Sequence, residues 1–188
     1  MKDELEKLEK YKVWDVVPKE KSMRVLGARW VFSRKLDGET GKPAAYKARW
    51  VAKGYSQREG IDYGELFAAV AHKDSIRLFL AWVNYHDLEC DQVDIKSAFL
   101  NGGLSEAIYL FPPEHSDVPS THVLRLRKSL YGLRQAHRCF NKAFDTWLQS
   151  QGLVPSRADP CLYIRRRGSE FLMLSVHVDD QMIACNRK

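Results

Sequence analysis

Apolar and polar positions along this chain change period several times, and each change marks a predicted element. The run Phe171-Leu172-Met173-Leu174-Ser175-Val176-His177-Val178 has strand length, meets two carboxylates at Asp179-Asp180, and turns apolar again at Met182-Ile183-Ala184. That pattern predicts a β-hairpin with an acidic pair at its tip. Residues 2 to 11 set Leu5 and Leu8 among alternating Glu and Lys, a short solvated helix with i,i+4 pairs such as Glu6 with Lys10. Val13 to Val17 reads as a strand ended by Pro18. Ala28 to Leu36 and Ala45 to Lys53 read as hairpin partners around Asp37-Gly38-Glu39-Thr40-Gly41. Ile76, Leu78, Phe79, Leu80, Trp82 and Val83 predict a largely buried helix from Asp74 to Tyr85, capped by Asp74 or Ser75.

Further along, Asp94 stands between Val93 and Ile95 in a strand-like stretch closed by Asn101-Gly102-Gly103, with a turn or short helix over Ser97 to Leu100. Ile108 to Phe111 is a short strand before Pro112-Pro113, and Glu114 to Thr121 a polar loop. His122 to Arg127 has the pattern of a half-buried strand with a basic face. A helix from about Ala136 to Gln151 follows, with Phe140, Ala143, Phe144, Trp147 and Leu148 on its apolar side and Gly152 as its stop. Asp159 to Ile164 opens the last hairpin-rich part as a strand, and Arg165 to Glu170 is its basic turn.

Composition narrows the class. With 188 residues, 45% hydrophobic and 29% charged, the chain has the make-up of a globular protein with a substantial core, one domain or two small subdomains. Its net charge of +6 suits a polyanionic partner, although basic surfaces also serve solubility. The four cysteines are widely spaced, form no zinc pattern, and read as reduced residues of an intracellular protein. The charged start is unlike a signal peptide, and no apolar run has the length of a membrane span, so no membrane is expected as a partner.

The chemistry lies in the carboxylates. Adjacent Asp179 and Asp180 repel each other, and ionising both beside an apolar sheet is costly unless a cation or hydrogen bonds compensate. Hard oxygen donors favour Mg2+ or Mn2+. On these residues alone a solvated turn is the commoner outcome. The second acidic segment shifts the balance. Gln92-Val93-Asp94-Ile95-Lys96-Ser97-Ala98-Phe99-Leu100-Asn101-Gly102 together with Val178-Asp179-Asp180 resembles the two metal-binding motifs of a reverse transcriptase, specifically of the copia-type retrotransposon branch. Tyr46 to Gln57, Gly60 to Tyr63 and Lys128 to Ala136 resemble that family's other blocks in the same order, so the resemblance runs from about Trp14 to Ala184.

The resemblance implies a right-hand polymerase: fingers mainly over 11–88 and a palm mainly over 89–188, whose antiparallel sheet is flanked by helices. It implies two-metal nucleotidyl transfer from a dNTP to a primer 3′-hydroxyl on an RNA or DNA template, with two Mg2+ ions, Mn2+ being the alternative. Asp94 and Asp179 would bridge the metals, and Asp180 would need a bend to join them. Lys47 and Arg49 fall where the family contacts the triphosphate, and Phe99 where it places the aromatic gate against a 2′-hydroxyl. Gly132 and Gln135 fall in the block that contacts the templating base and primer. The partners implied are template-primer, dNTPs and other segments of a retrotransposon polyprotein, in a cytoplasmic particle or the nucleus.

Three departures stand out: His177 where tyrosine usually precedes Val-Asp-Asp, His137 where proline is usual, and Phe67-Ala68-Ala69-Val70 where a proline is typical. The chain stops at Lys188, so the primer-gripping hairpin, thumb, RNase H, integrase and protease are expected to be absent from it. A catalytically silent remnant that only binds nucleic acid, or an unrelated basic α+β module with a surface Asp turn, would share much of this pattern.

Overall fold

The computed structural model describes residues 1–114 and 116–186; the polar loop expected over 114–121 therefore includes one residue, His115, outside the described set. The chain is α+β and divides into two compact units that interleave in sequence, residues 1–66 with 99–140, and 67–98 with 141–188.

The first unit begins with α1 (Lys2–Lys10), which buries Leu8 completely. Lys2 pairs with Glu6 at 4.0 Å and Lys7 with the buried Glu4, whereas the expected Glu6–Lys10 pair is not among the described ion pairs. Strands β1 (Trp14–Pro18), β2 (Val25–Leu26), β6 (Tyr109–Leu110) and β7 (His122–Leu126) form a sheet in the order β1-β7-β6-β2. Leu8, Val13, Leu26, Leu100, Ile108, Leu110, Leu124 and Leu130 fill its core, each at most 2% exposed. Strands β3 (Ala28–Leu36) and β4 (Pro43–Ala52) form a separate two-stranded arm. Its turn is tied by Asp37, whose carboxylate accepts from the amides of Glu39 (3.1 Å) and Thr40 (2.7 Å). Those bonds and the Thr40 hydroxyl hold the Asp37 carboxyl below its ordinary range.

The second unit is built on one antiparallel sheet in the order β5-β11-β10-β9-β8. Its strands are β5 (Glu89–Asp94), β8 (Val154–Pro155), β9 (Leu162–Arg167), β10 (Glu170–His177) and β11 (Asp180–Cys185). Alternation along β9 and β10 sorts the apolar residues onto two faces. Tyr163, Leu174 and Val176 cluster with Phe144 and Leu148 of α3 (Ala136–Ser150). Met173 and Ala184 cluster with Phe79 and Val83 of α2 (Lys73–Tyr85).

Asp159, 1% exposed, joins this unit's parts by accepting from the amides of His72 (2.9 Å) and Cys161 (2.9 Å). Burial alone would push the Asp159 carboxyl up. Hydrogen bonds from the Ser75 hydroxyl and these two amides outweigh it and hold the group below its usual range.

Several expectations need correction. Helix α2 is not largely buried: Phe79 is the one buried residue along it, while Leu78, Leu80 and Trp82 are 63%, 48% and 41% exposed. Helical spacing shows that apolar residues share a stripe, and says nothing of how much of the stripe is covered. His72, not Asp74 or Ser75, precedes its first turn. The segment 165–170 is also not all turn, because β9 runs to Arg167 and only Gly168-Ser169 turn.

Candidate nucleotidyl-transfer site

The acidic tip sits in the second unit. Strand β10 ends at His177 and β11 begins at Asp180, which pair across a two-residue turn of Val178 and Asp179. Val178 has φ +59° and Asp179 has no positive φ, the pattern of a type II′ turn. That first position ordinarily belongs to glycine. A β-branched residue there is strained by about 1–3 kcal/mol. Ser97, just past Asp94, is also left-handed at φ +56°. Both acidic segments are thus flanked by backbone that ordinary chain would avoid, a feature that concentrates at functional sites.

Register brings the segments together. Asp180 of β11 is the direct partner of Asp94 of β5, and the amide of Ile95 donates to the carbonyl of Asp179 at 2.9 Å. Residues directly opposite in an antiparallel pair share a face, so the Asp94 and Asp180 side chains lie side by side. Asp180 therefore needs no bend to join Asp94, and Asp179 is the one of the three on the turn itself. His177, opposite Asp180, continues the same row.

All three aspartates are exposed, and among the described residues no hydrogen bond or ion pair engages their carboxylates. Nor do three acidic, histidine or cysteine side chains converge there into a ready-made cation cage. The donors are all hard oxygens on one strand pairing. Such a set suits an ion like Mg2+, which keeps waters and takes phosphate oxygens as further ligands instead of requiring an all-protein cage.

The basic arm lies in the first unit. Across β3 and β4 the pairs Arg29–Val51, Val31–Arg49, Ser33–Lys47 and Lys35–Ala45 share one face. Lys47, Arg49, Lys35 and Arg29 therefore stand on one side of the arm. Trp30, Phe32, Tyr46 and Trp50 stand on the other, with the Trp30 and Trp50 rings 5.2 Å apart. Lys47 is exposed and borders a groove of about 410 Å3 with Phe32, Arg34 and Tyr46. Arg49 is half-buried, its guanidinium 5.4 Å from the ring centre of Tyr131. Arg29, which the alternation alone would have placed with this set, was not among the residues singled out.

Phe99 packs edge-on against Tyr131 at 5.2 Å, in the same unit. Gly132 has φ +90°, and a Cβ there would sit 2.2 Å from the carbonyl oxygen of Ala52. A Cβ on Gly54 would in turn meet the Gly132 carbonyl at 1.9 Å. These two glycines let the chain after β4 lie directly on the Leu130-Tyr131-Gly132 segment.

Gln135 is 1% exposed; it accepts from Gln57 Nε2 (2.9 Å) and donates to the Asp62 carbonyl (2.9 Å). Asp62 in turn binds Arg24 and accepts from the Arg58 amide at 2.8 Å. Arg134 donates to the Gly54 carbonyl (3.1 Å) and lies over Tyr63, and Arg138 pairs with Glu65 at 2.6 Å. Gln57 and Asp62 had no assigned role, although both fall in segments that sequence comparison picks out.

Comparison with known proteins identifies the family of the chain. The family model described as reverse transcriptase (RNA-dependent DNA polymerase) matches residues 11–188. The Retrovirus-related Pol polyprotein from transposon TNT 1-94 of Nicotiana tabacum is 41% identical over 186 residues, covering 97% of this chain and 14% of that protein. The corresponding polyprotein from transposon RE2 of Arabidopsis thaliana is 39% identical over 92% of this chain and 12% of its own length. The Transposon Ty1-BL Gag-Pol polyprotein of Saccharomyces cerevisiae is 28% identical over 96% of this chain and 10% of its own. The chain thus spans between 10% and 14% of these relatives. It belongs to the reverse transcriptase (RNA-dependent DNA polymerase) family, in its copia-type branch.

Proposed function

We propose that this chain is the fingers and palm of an RNA-directed DNA polymerase, joining a deoxynucleotide to a primer 3′-hydroxyl on an RNA or DNA template. The observation that carries the reading is the register of β5 against β11, which sets Asp94 opposite Asp180 and bonds Ile95 to Asp179. In this reading the five-stranded sheet is the palm and the β3–β4 arm belongs to the fingers.

Asp94, Asp179 and Asp180 would hold the two divalent ions. When bound, those ions activate the primer hydroxyl and neutralise charge on the triphosphate. The chain's own part is to present three unengaged carboxylates, Asp94 and Asp180 from directly paired strands and Asp179 from the turn beside them. Separately, Lys47 and Arg49 offer a point charge and a planar fork to triphosphate oxygens. The face they share carries two further cations, Arg29 and Lys35, suited to a phosphate backbone. Other polyprotein segments would supply the remaining grip on the duplex.

Primer extension with Mg2+ or Mn2+ tests this. The Asp94→Asn variant is expected to keep the wild-type circular dichroism spectrum and lose extension. A variant that polymerises at the wild-type rate refutes the assignment of Asp94. A wild-type chain that binds duplex with a steep salt dependence and never extends primer refutes the polymerase and leaves a nucleic-acid-binding remnant.

A further inference from the structure

We propose that Tyr131 is the positioning residue for sugar selection, fixing the Phe99 ring and the Arg49 guanidinium in one cluster that receives a deoxynucleoside triphosphate. This rests on the reading above, taken with the family resemblance that sets Phe99 against the sugar and Arg49 against the triphosphate, and adds the group that couples them. Tyr131 touches both. Its ring meets Phe99 edge-on at 5.2 Å and 66°, and lies under the Arg49 guanidinium at 5.4 Å.

The backbone around the cluster is held from several sides. The amide of Ala52, three residues after Arg49, donates to the Tyr131 carbonyl at 2.8 Å. The Ser129 hydroxyl donates to the Phe99 carbonyl, and the Ser129 amide to the Gly102 carbonyl at 2.8 Å. Gly132 follows Tyr131 with its own backbone pressed onto Ala52. Segments from three parts of the first unit thus meet at one ring.

The physical argument concerns tolerance. A steric gate discriminates one hydroxyl only if its ring cannot retreat by a fraction of an ångström. Phe99 is half-buried, so part of its surface has no packing to hold it. An edge-to-face partner supplies a directional restraint that an aliphatic side chain lacks. The same ring holds the Arg49 fork by cation–π attraction, which orders a long side chain before the triphosphate arrives. Removing the ring frees the gate and the fork together, whereas removing only the phenol oxygen leaves both contacts in place.

The experiment measures kcat and KM for a dNTP and the matching rNTP on one template-primer, for the wild-type chain and for Tyr131→Phe, Tyr131→Leu and Asp94→Asn. Tyr131→Phe is expected to keep wild-type selectivity. Tyr131→Leu is expected to lose dNTP-over-rNTP selectivity by about tenfold or more, the scale on which single pocket contacts discriminate, and to raise the dNTP KM. Wild-type selectivity and KM in Tyr131→Leu, with Asp94→Asn inactive, overturns the role of Tyr131 and leaves the polymerase reading standing. Should Tyr131→Leu fail to fold by circular dichroism, Tyr131→Met fills a similar volume without a ring, and unchanged selectivity and KM in it overturn the proposal equally. If the wild-type chain extends no primer, titration with fluorescent dNTP and rNTP in Mg2+ decides. Equal affinity for the two overturns the proposal.

Discussion

Gly132→Ala makes the sharpest test of how the first unit is assembled. A methyl group at this position meets two separate penalties. The backbone stands at φ +90°, where an L side chain costs about 1–2 kcal/mol. The new Cβ would also lie 2.2 Å from the Ala52 oxygen and 2.6 Å from a Val51 methyl, so the β4 backbone itself must move. Overpacking that shifts backbone costs about 1–3 kcal/mol. The movement also strains the Ala52 to Tyr131 hydrogen bond of 2.8 Å, since those are the residues pushed apart.

A combined loss of about 3 kcal/mol lowers the melting temperature by about 6–12 °C for a chain of this size. The assay is thermal unfolding followed by circular dichroism, with Gly103→Ala as the control, because nothing lies within 4 Å of a Cβ there. The control should melt with the wild type. If Gly132→Ala melts within about 2 °C of the wild type, less than 1 kcal/mol at this chain length, the close approach is not a feature of the folded protein. Gly132 would then be free to serve a nucleotide instead.

Other perturbations follow from buried polar groups. Gln135→Leu strips Gln57 of an acceptor and the Asp62 carbonyl of a donor inside a buried network, and should cost about 2 kcal/mol in urea unfolding; an unchanged midpoint would show the network to be idle. Asp159 has its folded carboxyl held below the ordinary value, so it stabilises the second unit above the unfolded carboxylate range near pH 3.9, and that contribution is lost as pH falls through the lower folded value. Asp159→Asn should therefore destabilise the protein at pH 7 and flatten its stability profile as pH falls below the ordinary carboxylate range near pH 3.9; an unchanged acid limb contradicts this.

How much of this was legible in the sequence depends on how far each pairing reaches along the chain. The arm from Ala28 to Leu36 was read with the bounds the structure shows, because its turn and its partner lie within a few residues. The Ala136 helix and its stop at Gly152, with φ +79°, were equally local. The pairing of Asp180 with Asp94 was not readable, since β11 meets β5 across some eighty residues and no local signal sets that register. Alternation within one strand even argued against Asp180, and only the partner strand shows that it shares a face with Asp94. The family resemblance sets Gln135 in the block that contacts the templating base and primer. Its burial could not be anticipated, because a polar residue in a Gly-containing loop ordinarily faces water.

The acidic row also makes a claim about stability that runs opposite to activity. Asp94 and Asp180 are like charges placed directly opposite, an arrangement that destabilises a strand pair, and Val178 adds its left-handed backbone beside them. Neither feature helps the sheet, and β5 is an edge strand exposed along its whole length, so burial of its own side chains does not offset them. Neutralising one member should then stabilise the metal-free chain. Because the groups are exposed and screened, the gain for Asp94→Asn is a few tenths of a kcal/mol, about 1 °C, best seen at low ionic strength. Mg2+ binds only the folded arrangement of carboxylates and should raise the wild-type melting temperature, reversing the order of the two proteins. An Asp94→Asn chain that melts below the wild type without divalent ions would mean these carboxylates stabilise the sheet, and the argument that they are placed for a ligand at the fold's expense would fail.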